Sequence, residues 1–330
     1  MTGIKSFEVK NIYEQQKHNK RVTWLFMAFV VLVFTIVGLG FDYYYFGGWF
    51  NSPFGFPVAS VIVLVFSVAL AIGSLNDGAV AVLKSAQAVP ADPSDLEQRK
   101  LINVVQEVSI AAGLPMPQVY IIPDDDPNAF ATGKDPEHSY IAVTRGLLKM
   151  LDREELQGVI AHEMSHIRYY DIRFMTVVAA FAGAIVLLSD LALRGLRFGV
   201  GSDRKSNRSS RGGNPLAGLF LLIWLLTIIL APLISRLLAM AISRKREYLA
   251  DAGGAELIRN PMALARALEK IENASEPTRS IKRGVAHLCI VDPTGRKLNN
   301  KEGFVAELFA THPPIQKRIM LLKAMAYQMS

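Results

Sequence analysis

Four stretches of this chain stay apolar for longer than a soluble helix or strand requires: 22–41 (VTWLFMAFVVLVFTIVGLGF), 57–75 (PVASVIVLVFSVALAIGSL), 174–193 (FMTVVAAFAGAIVLLSDLAL) and 215–242 (PLAGLFLLIWLLTIILAPLISRLLAMAI). A helix needs about 20 apolar residues to cross the hydrocarbon of a bilayer, whereas buried helices of soluble cores use runs of about 10–14. The pattern therefore predicts two pairs of membrane helices. The first run is too long for the apolar part of a cleaved signal, about 7–15 residues, and Asp42-Tyr43-Tyr44-Tyr45 follows it where small residues would mark cleavage.

Between the pairs the pattern shortens. QVYII (118–122) and SYIAVT (139–144) are rich in aromatic and β-branched residues and read as short strands, with the turn-bounded PNAFATG (127–133) extended between them. Ser94-Asp-Leu-Glu97 has the spacing of a capping box and opens a helix that closes near Gly113. Asp152-Arg-Glu-Glu155 opens another. Residues 76–173 and 243–330 thus read as one α+β unit, interrupted by the second hydrophobic pair at 174–242. Residues 1–21 form a basic tail, and 22–75 the first pair with its short external loop.

Composition agrees. Of 330 residues 51% are hydrophobic and the mean hydropathy is +0.26, too apolar for an ordinary soluble domain. The net charge of +7 gathers beside the spans. Lys17, Lys20 and Arg21 precede the first, and the 42–56 loop holds no Lys or Arg, so the N-terminus and the chain after residue 76 are both expected in the cytoplasm. The loop 194–214 disagrees: it carries Arg194, Arg197, Arg204, Lys205, Arg208 and Arg211, yet full spanning by the second pair would put it outside. Either that hairpin is shallow or other signals override the charge rule. Basic residues in such places meet anionic lipid head groups, not nucleic acid. The one cysteine, Cys289, leaves neither a disulfide framework nor a thiolate zinc cluster.

The candidate chemistry sits at 159–171, VIAHEMSHIRYYD. On a helix His162 and His166 share a face and can hold two corners of a tetrahedral Zn²⁺. Glu163, one position round, can reach a water held by the ion without ligating it. Zinc lowers such a water's pKa from about 15.7 towards about 7, and a carboxylate can accept its proton as it attacks a carbonyl. Histidines that merely pair with carboxylates would leave the motif structural, so a third ligand discriminates. The longer H-E-x-x-H-x-x-G-x-x-H pattern would need a histidine at 172, where the chain reads IRYYDIRF. REYLADAGG (246–254) offers Glu247 and Asp251, again at i, i+4. Glu247 can complete a His₂Glu set, and Asp251 can accept a hydrogen bond from the distal nitrogen of a ligand imidazole. The alternative for Glu247 is a surface salt bridge with Arg244 or another nearby cation.

HEMSH, the E-Y-x-A-D segment from Glu247 to Asp251, NAFATG ahead of the zinc helix and THPPIQKRI (311–319) together resemble the HtpX-type membrane zinc peptidases, relatives of the CAAX prenyl proteases within the gluzincins. The likeness covers roughly residues 76–330 and the four-span layout. It implies a multi-pass α-helical membrane protein with an α+β zincin-like catalytic domain and one Zn²⁺ per chain. His162, His166 and Glu247 would be the ligands, and Glu163 the general base and later proton donor. Asp251 would stand behind His162. Asn128, Ala129, Phe130 and Ala131 would form the edge strand that pairs with substrate backbone. His312 would hydrogen-bond the oxyanion, with Arg318 as its orienting partner. Two features depart from the family pattern: the long basic leader before the first span, and IRYYD in place of small residues after His166.

The function so implied is a zinc endopeptidase of the bacterial plasma (inner) membrane, its active site in the cytoplasm. It would cleave membrane or misfolded proteins in quality control and stress response, with lipid as its other partner. A CAAX-type prenyl protease is a second reading, for which four spans are too few to build the intramembrane chamber. A non-catalytic metal-binding membrane scaffold is a third, which would have no need of Glu163.

Overall fold

The computed structural model describes residues 12–46, 50, 52–184, 244–274, 288–290 and 313–329. The loop 194–214, the run 215–242, the part of 174–193 beyond residue 184, and His312 lie outside the described residues.

Helices α1 (Ile12–Phe46) and α2 (Val58–Asn76) form a hairpin, and both are long and apolar enough to cross a membrane. Helix α1 starts well ahead of the apolar run, so residues 12–21 of the expected tail are helical. The inner face of α2 is small and polar (Ser60, Ser67, Ala71, Ser74), while Ile62, Val65, Phe66 and Ile72 point outward and are exposed. Water would favour the reverse. This is the pattern of helices solvated by lipid, where small residues let backbones approach; a Cβ on Gly38 would lie 2.8 Å from the Ser60 Cα. Asp42 ties the far end of the hairpin. Its buried carboxylate accepts from the Ala59 N–H (2.9 Å), the Ser60 N–H (2.8 Å) and the Ser60 hydroxyl (2.6 Å). Pro57, at the N-cap of α2, makes no side-chain cap bond, so α1 supplies the acceptor that the free N–H groups need.

The remainder is α+β. Strands β1 (Val89–Pro90), β2 (Gln118–Ile122), β3 (Ala129–Asp135) and β4 (His138–Thr144) form one sheet in the order β1-β2-β4-β3. β2 and β4 run parallel, and the other pairs antiparallel. Alternation along the strands divides their side chains between two faces. Ile121, Ala129, Ala131, Ile141 and Val143 pack with α4 (Leu96–Ala112) and α6 (Arg153–Arg168). Ile122, Phe130 and Ala142 pack with α3 (Gly78–Ser85) and with the helix at 171–184, here α7. α7 also closes on α1, where Phe26 meets Phe174 and Phe181 edge-on at 5.7 and 5.6 Å. Helix α5 (Arg145–Met150) joins the sheet to α6. Helices α8 (Arg244–Ile258), α9 (Pro261–Asn273) and α10 (Ile315–Met329) complete the core around α6.

One cap differs from expectation. Asp95, not Ser94, caps α4 by accepting from the Gln98 N–H at 2.9 Å. Ser94 is drawn back to Asp92, whose carboxylate takes its N–H and hydroxyl in a tight side-chain turn. The helix does end at Gly113, which adopts the left-handed conformation (φ 65°).

Candidate metal centre

Helix α6 is started by the capping box that the sequence suggests: Asp152 accepts from the Glu155 N–H (2.9 Å), and the Glu155 carboxylate from the Asp152 N–H (3.0 Å). Leu156, Val159, Ile160, Met164 and Ile167 anchor it in the core. The helix is buried from Gly158 to Ile167, so its three titratable groups lie in protein: His162, Glu163 and His166 are 1%, 1% and 5% exposed. Helix α8 comes close enough to reach them because glycine faces α6. A Cβ on Gly254 would sit 2.8 Å from the His162 backbone nitrogen.

That approach brings Glu247 to the histidines. His162 Nε2 and His166 Nε2 are 3.2 Å apart, and the Glu247 oxygens lie 3.8 and 3.7 Å from them. The three donor atoms fall within 4.8 Å of one another. At 3% exposure Glu247 is too buried for the alternative of a surface ion pair. Bonds of about 2.0–2.2 Å at tetrahedral angles separate neighbouring ligand atoms by roughly 3.4 Å, so this donor set fits a small divalent ion after slight contraction.

The far side of each imidazole supports the same assignment. His162 Nδ1 lies 2.9 Å from Asp251 Oδ1, and His166 Nδ1 lies 3.3 Å from Asp171 Oδ2. If each Nδ1 donates to its carboxylate, both Nε2 atoms carry lone pairs directed at the same point, beside a third acceptor. Three such acceptors repel one another unless a cation or proton lies between them. Asp171 is a residue the sequence reading missed. It stands one turn of chain beyond His166, across the left-handed Tyr170 (φ 61°), where helical spacing gives no guide.

Arg318 completes the charge balance. It is 1% exposed and grips Asp251 through two bonds, from Nε (2.8 Å) and Nη2 (2.7 Å), while Nη1 donates to the Ile290 carbonyl (3.0 Å) and lies 3.4 Å from Glu247. Burial works against the charge on Asp251, but the Arg318 guanidinium and the His162 hydrogen bond outweigh it and hold its carboxyl below the usual range. Burial likewise opposes the Arg318 charge, and Asp251, Glu247 and Glu163 overcome it. Arg318 was expected as an orienting partner of His312, which lies outside the described residues; among the described residues it bonds Asp251 and the Ile290 carbonyl.

Glu163 is the least satisfied member. Burial pushes its carboxyl up, the two imidazoles pull it down, Glu247 pushes it up again, and the Ala131 N–H donates towards it. The net shift is upward, and its Oε2 has no hydrogen-bond partner among the described residues. A carboxylate so placed is ready to exchange a proton with a substrate group. Ala129, Phe130 and Ala131 begin β3, the edge of the sheet, and Asn128 directly precedes it, but all four are buried. Their edge is partly taken: the Ala129 carbonyl accepts from the Ile290 N–H at 2.9 Å.

A family model, Peptidase family M48, matches residues 95–326. The chain belongs to peptidase family M48. A "Protease HtpX homolog" from Caldanaerobacter subterraneus subsp. tengcongensis is 45% identical over 96% of this chain and 98% of its own length. Another from Streptococcus gordonii is 40% identical over 95% of this chain and all of its own. Among solved structures, that of S. mikatae Ste24p is similar with a TM-score of 0.48 at 17% identity, covering 93% of this chain and 66% of that one. The M48 assignment, the relatives and the apolar helices together make the chain a membrane metalloprotease acting on protein substrates.

Proposed function

We propose that this M48 member is a zinc-dependent endopeptidase of a bacterial plasma membrane, with its catalytic half in the cytoplasm, and that it degrades membrane or misfolded proteins. The observation that carries the reading is the buried convergence of His162, His166 and Glu247 beside an under-bonded Glu163. The His₂Glu donor set is typical of catalytic zinc. The cytoplasmic side is supported by the contacts of α1: its polar start, carrying Lys17, Lys20 and Arg21, touches the end of α6, so the catalytic half lies at the basic end of the hairpin.

When bound, zinc supplies Lewis acidity towards a peptide carbonyl and acidifies water. The chain's residues do the rest. His162 and His166, each braced by a carboxylate, would hold the ion through Nε2, with Glu247 as the third donor. Glu163 accepts the proton of the attacking water and hands it on to the departing amine. A substrate segment adds to the β3 edge at Asn128–Ala131, displacing the Ile290 contact. His312 donates to the developing oxyanion, as the family resemblance implies.

The test is Glu163→Gln, purified with its zinc. Loss of a general base is expected to slow casein cleavage by roughly 10²–10⁴ with the metal retained. Cleavage at the wild-type rate would refute the reading.

A further inference from the structure

The first membrane helix reaches the metal centre from its polar end. Gln16 and Asn19, one turn apart on α1, share a face. The Gln16 amide donates to the Arg168 carbonyl at 2.8 Å, and the Asn19 amide donates to the Tyr169 carbonyl at 2.8 Å. These carbonyls belong to the last residue of α6 and to its C-cap, where no further helical N–H is available. The same Asn19 Nδ2 donates to Asp171 Oδ1 at 2.7 Å, with Asn19 fully buried. Lys20, next in sequence, places its ammonium 3.9 Å from the centre of the Tyr170 ring. The turn 168–171 is thus held at each residue by α1.

What that turn carries gives the contact its meaning. Asp171 Oδ2 faces His166 Nδ1, and its other oxygen is bonded to Asn19 and lies 3.7 Å from Arg246 Nε on α8. Tyr170 in this turn holds the left-handed conformation (φ 61°), which residues with a Cβ rarely adopt.

We infer that Asn19 is a positioning residue for the metal centre: through Asp171 it fixes the His166 imidazole with Nε2 towards the metal, so that the polar start of α1 is part of the catalytic unit and not a membrane anchor alone. The inference rests on the zinc-site reading above, and goes beyond it in assigning a role to the leader helix.

Zinc affinity of the full-length protein in detergent, measured by competition with a chromophoric chelator, tests this, together with the melting temperature of the metal-free form. Asn19→Leu keeps the γ-branched shape and removes the donor. Because partners behind a ligand typically govern about 10–100-fold in metal affinity, Asn19→Leu is expected to weaken zinc binding about tenfold and Asp171→Ala at least as much. If Asn19 acts through Asp171, the double variant binds no more weakly than Asp171→Ala alone. Thr23→Val, one turn further along α1 and bonded only to the Asn19 carbonyl, serves as control and is expected to leave zinc affinity unchanged even where it lowers the melting temperature. Wild-type affinity in Asn19→Leu, equal losses in Asn19→Leu and Thr23→Val, or additive effects in the double variant would overturn the inference. Should Asp171→Ala fail to fold, the comparison of Asn19→Leu with Thr23→Val decides. Wild-type protein without zinc affinity would instead overturn the underlying metal site.

Discussion

In the metal-free chain, burial pushes the His166 imidazole towards neutrality, yet the Asp171 hydrogen bond and the charges of Glu247, Asp171 and Glu163 outweigh it and raise the pKa from 6.5 to about 9. The stabilisation from that proton is complete below pH 6.5, the ordinary value, and disappears as pH rises through about 9. With zinc held on Nε2, as proposed, there would be no such proton to lose. The metal-free form is therefore expected to lose melting temperature between pH 6.5 and 9.5, with the zinc-loaded form flat over that window; parallel curves for the two forms would contradict the assignment. At this scale much of the site was legible. His162 with His166, and Glu247 with Asp251, sit at i, i+4, and a helical repeat leaves that mark in sequence. Asp171 left none, because it works across a left-handed turn and its anchor, Asn19, lies 152 positions away.

Between elements, the centre depends on how closely α8 packs against α6. Gly254 makes that possible, since any Cβ there meets the His162 backbone, which has no flexible end to move aside. Gly254→Ala is expected to separate the helices and cost about 1–3 kcal/mol through overpacking, against a gain of about 1 kcal/mol from helix propensity. Zinc affinity is expected to fall with it. Gly73→Ala in α2 has open space around the added methyl and is expected to be neutral or stabilising. Equal melting temperatures and zinc affinities for Gly254→Ala and wild type would show that the close approach is not required. The strand and helix patterns were readable from alternation and capping boxes, although Asp92 diverted Ser94 from the cap that spacing alone suggested. The basic leader and IRYYD, both read from sequence as departures from the family pattern, touch each other: Gln16, Asn19 and Lys20 hold Arg168, Tyr169, Tyr170 and Asp171. Sequence treats them as separate oddities because long-range contacts have no period.

Over the whole molecule, the catalytic half is assembled from two segments on either side of the second hydrophobic pair, and one buried cluster of polar groups joins them. His162, Glu163, His166 and Asp171 come from before that pair; Glu247, Asp251 and Arg318 come from after it. So many buried charges would be destabilising if left uncompensated, which makes a shared cation the simplest account of the cluster. The hairpin of α1 and α2, apolar outward and small inward, fixes this assembly to a bilayer and at the same time braces it through Asn19. The most direct measurement is the zinc content of wild-type, Glu163→Gln and Glu247→Gln proteins after dialysis against a weak chelator. About one zinc per chain is expected in wild type and Glu163→Gln, and loss of the metal from Glu247→Gln. Full zinc retention in Glu247→Gln would contradict the assignment of Glu247 as a ligand.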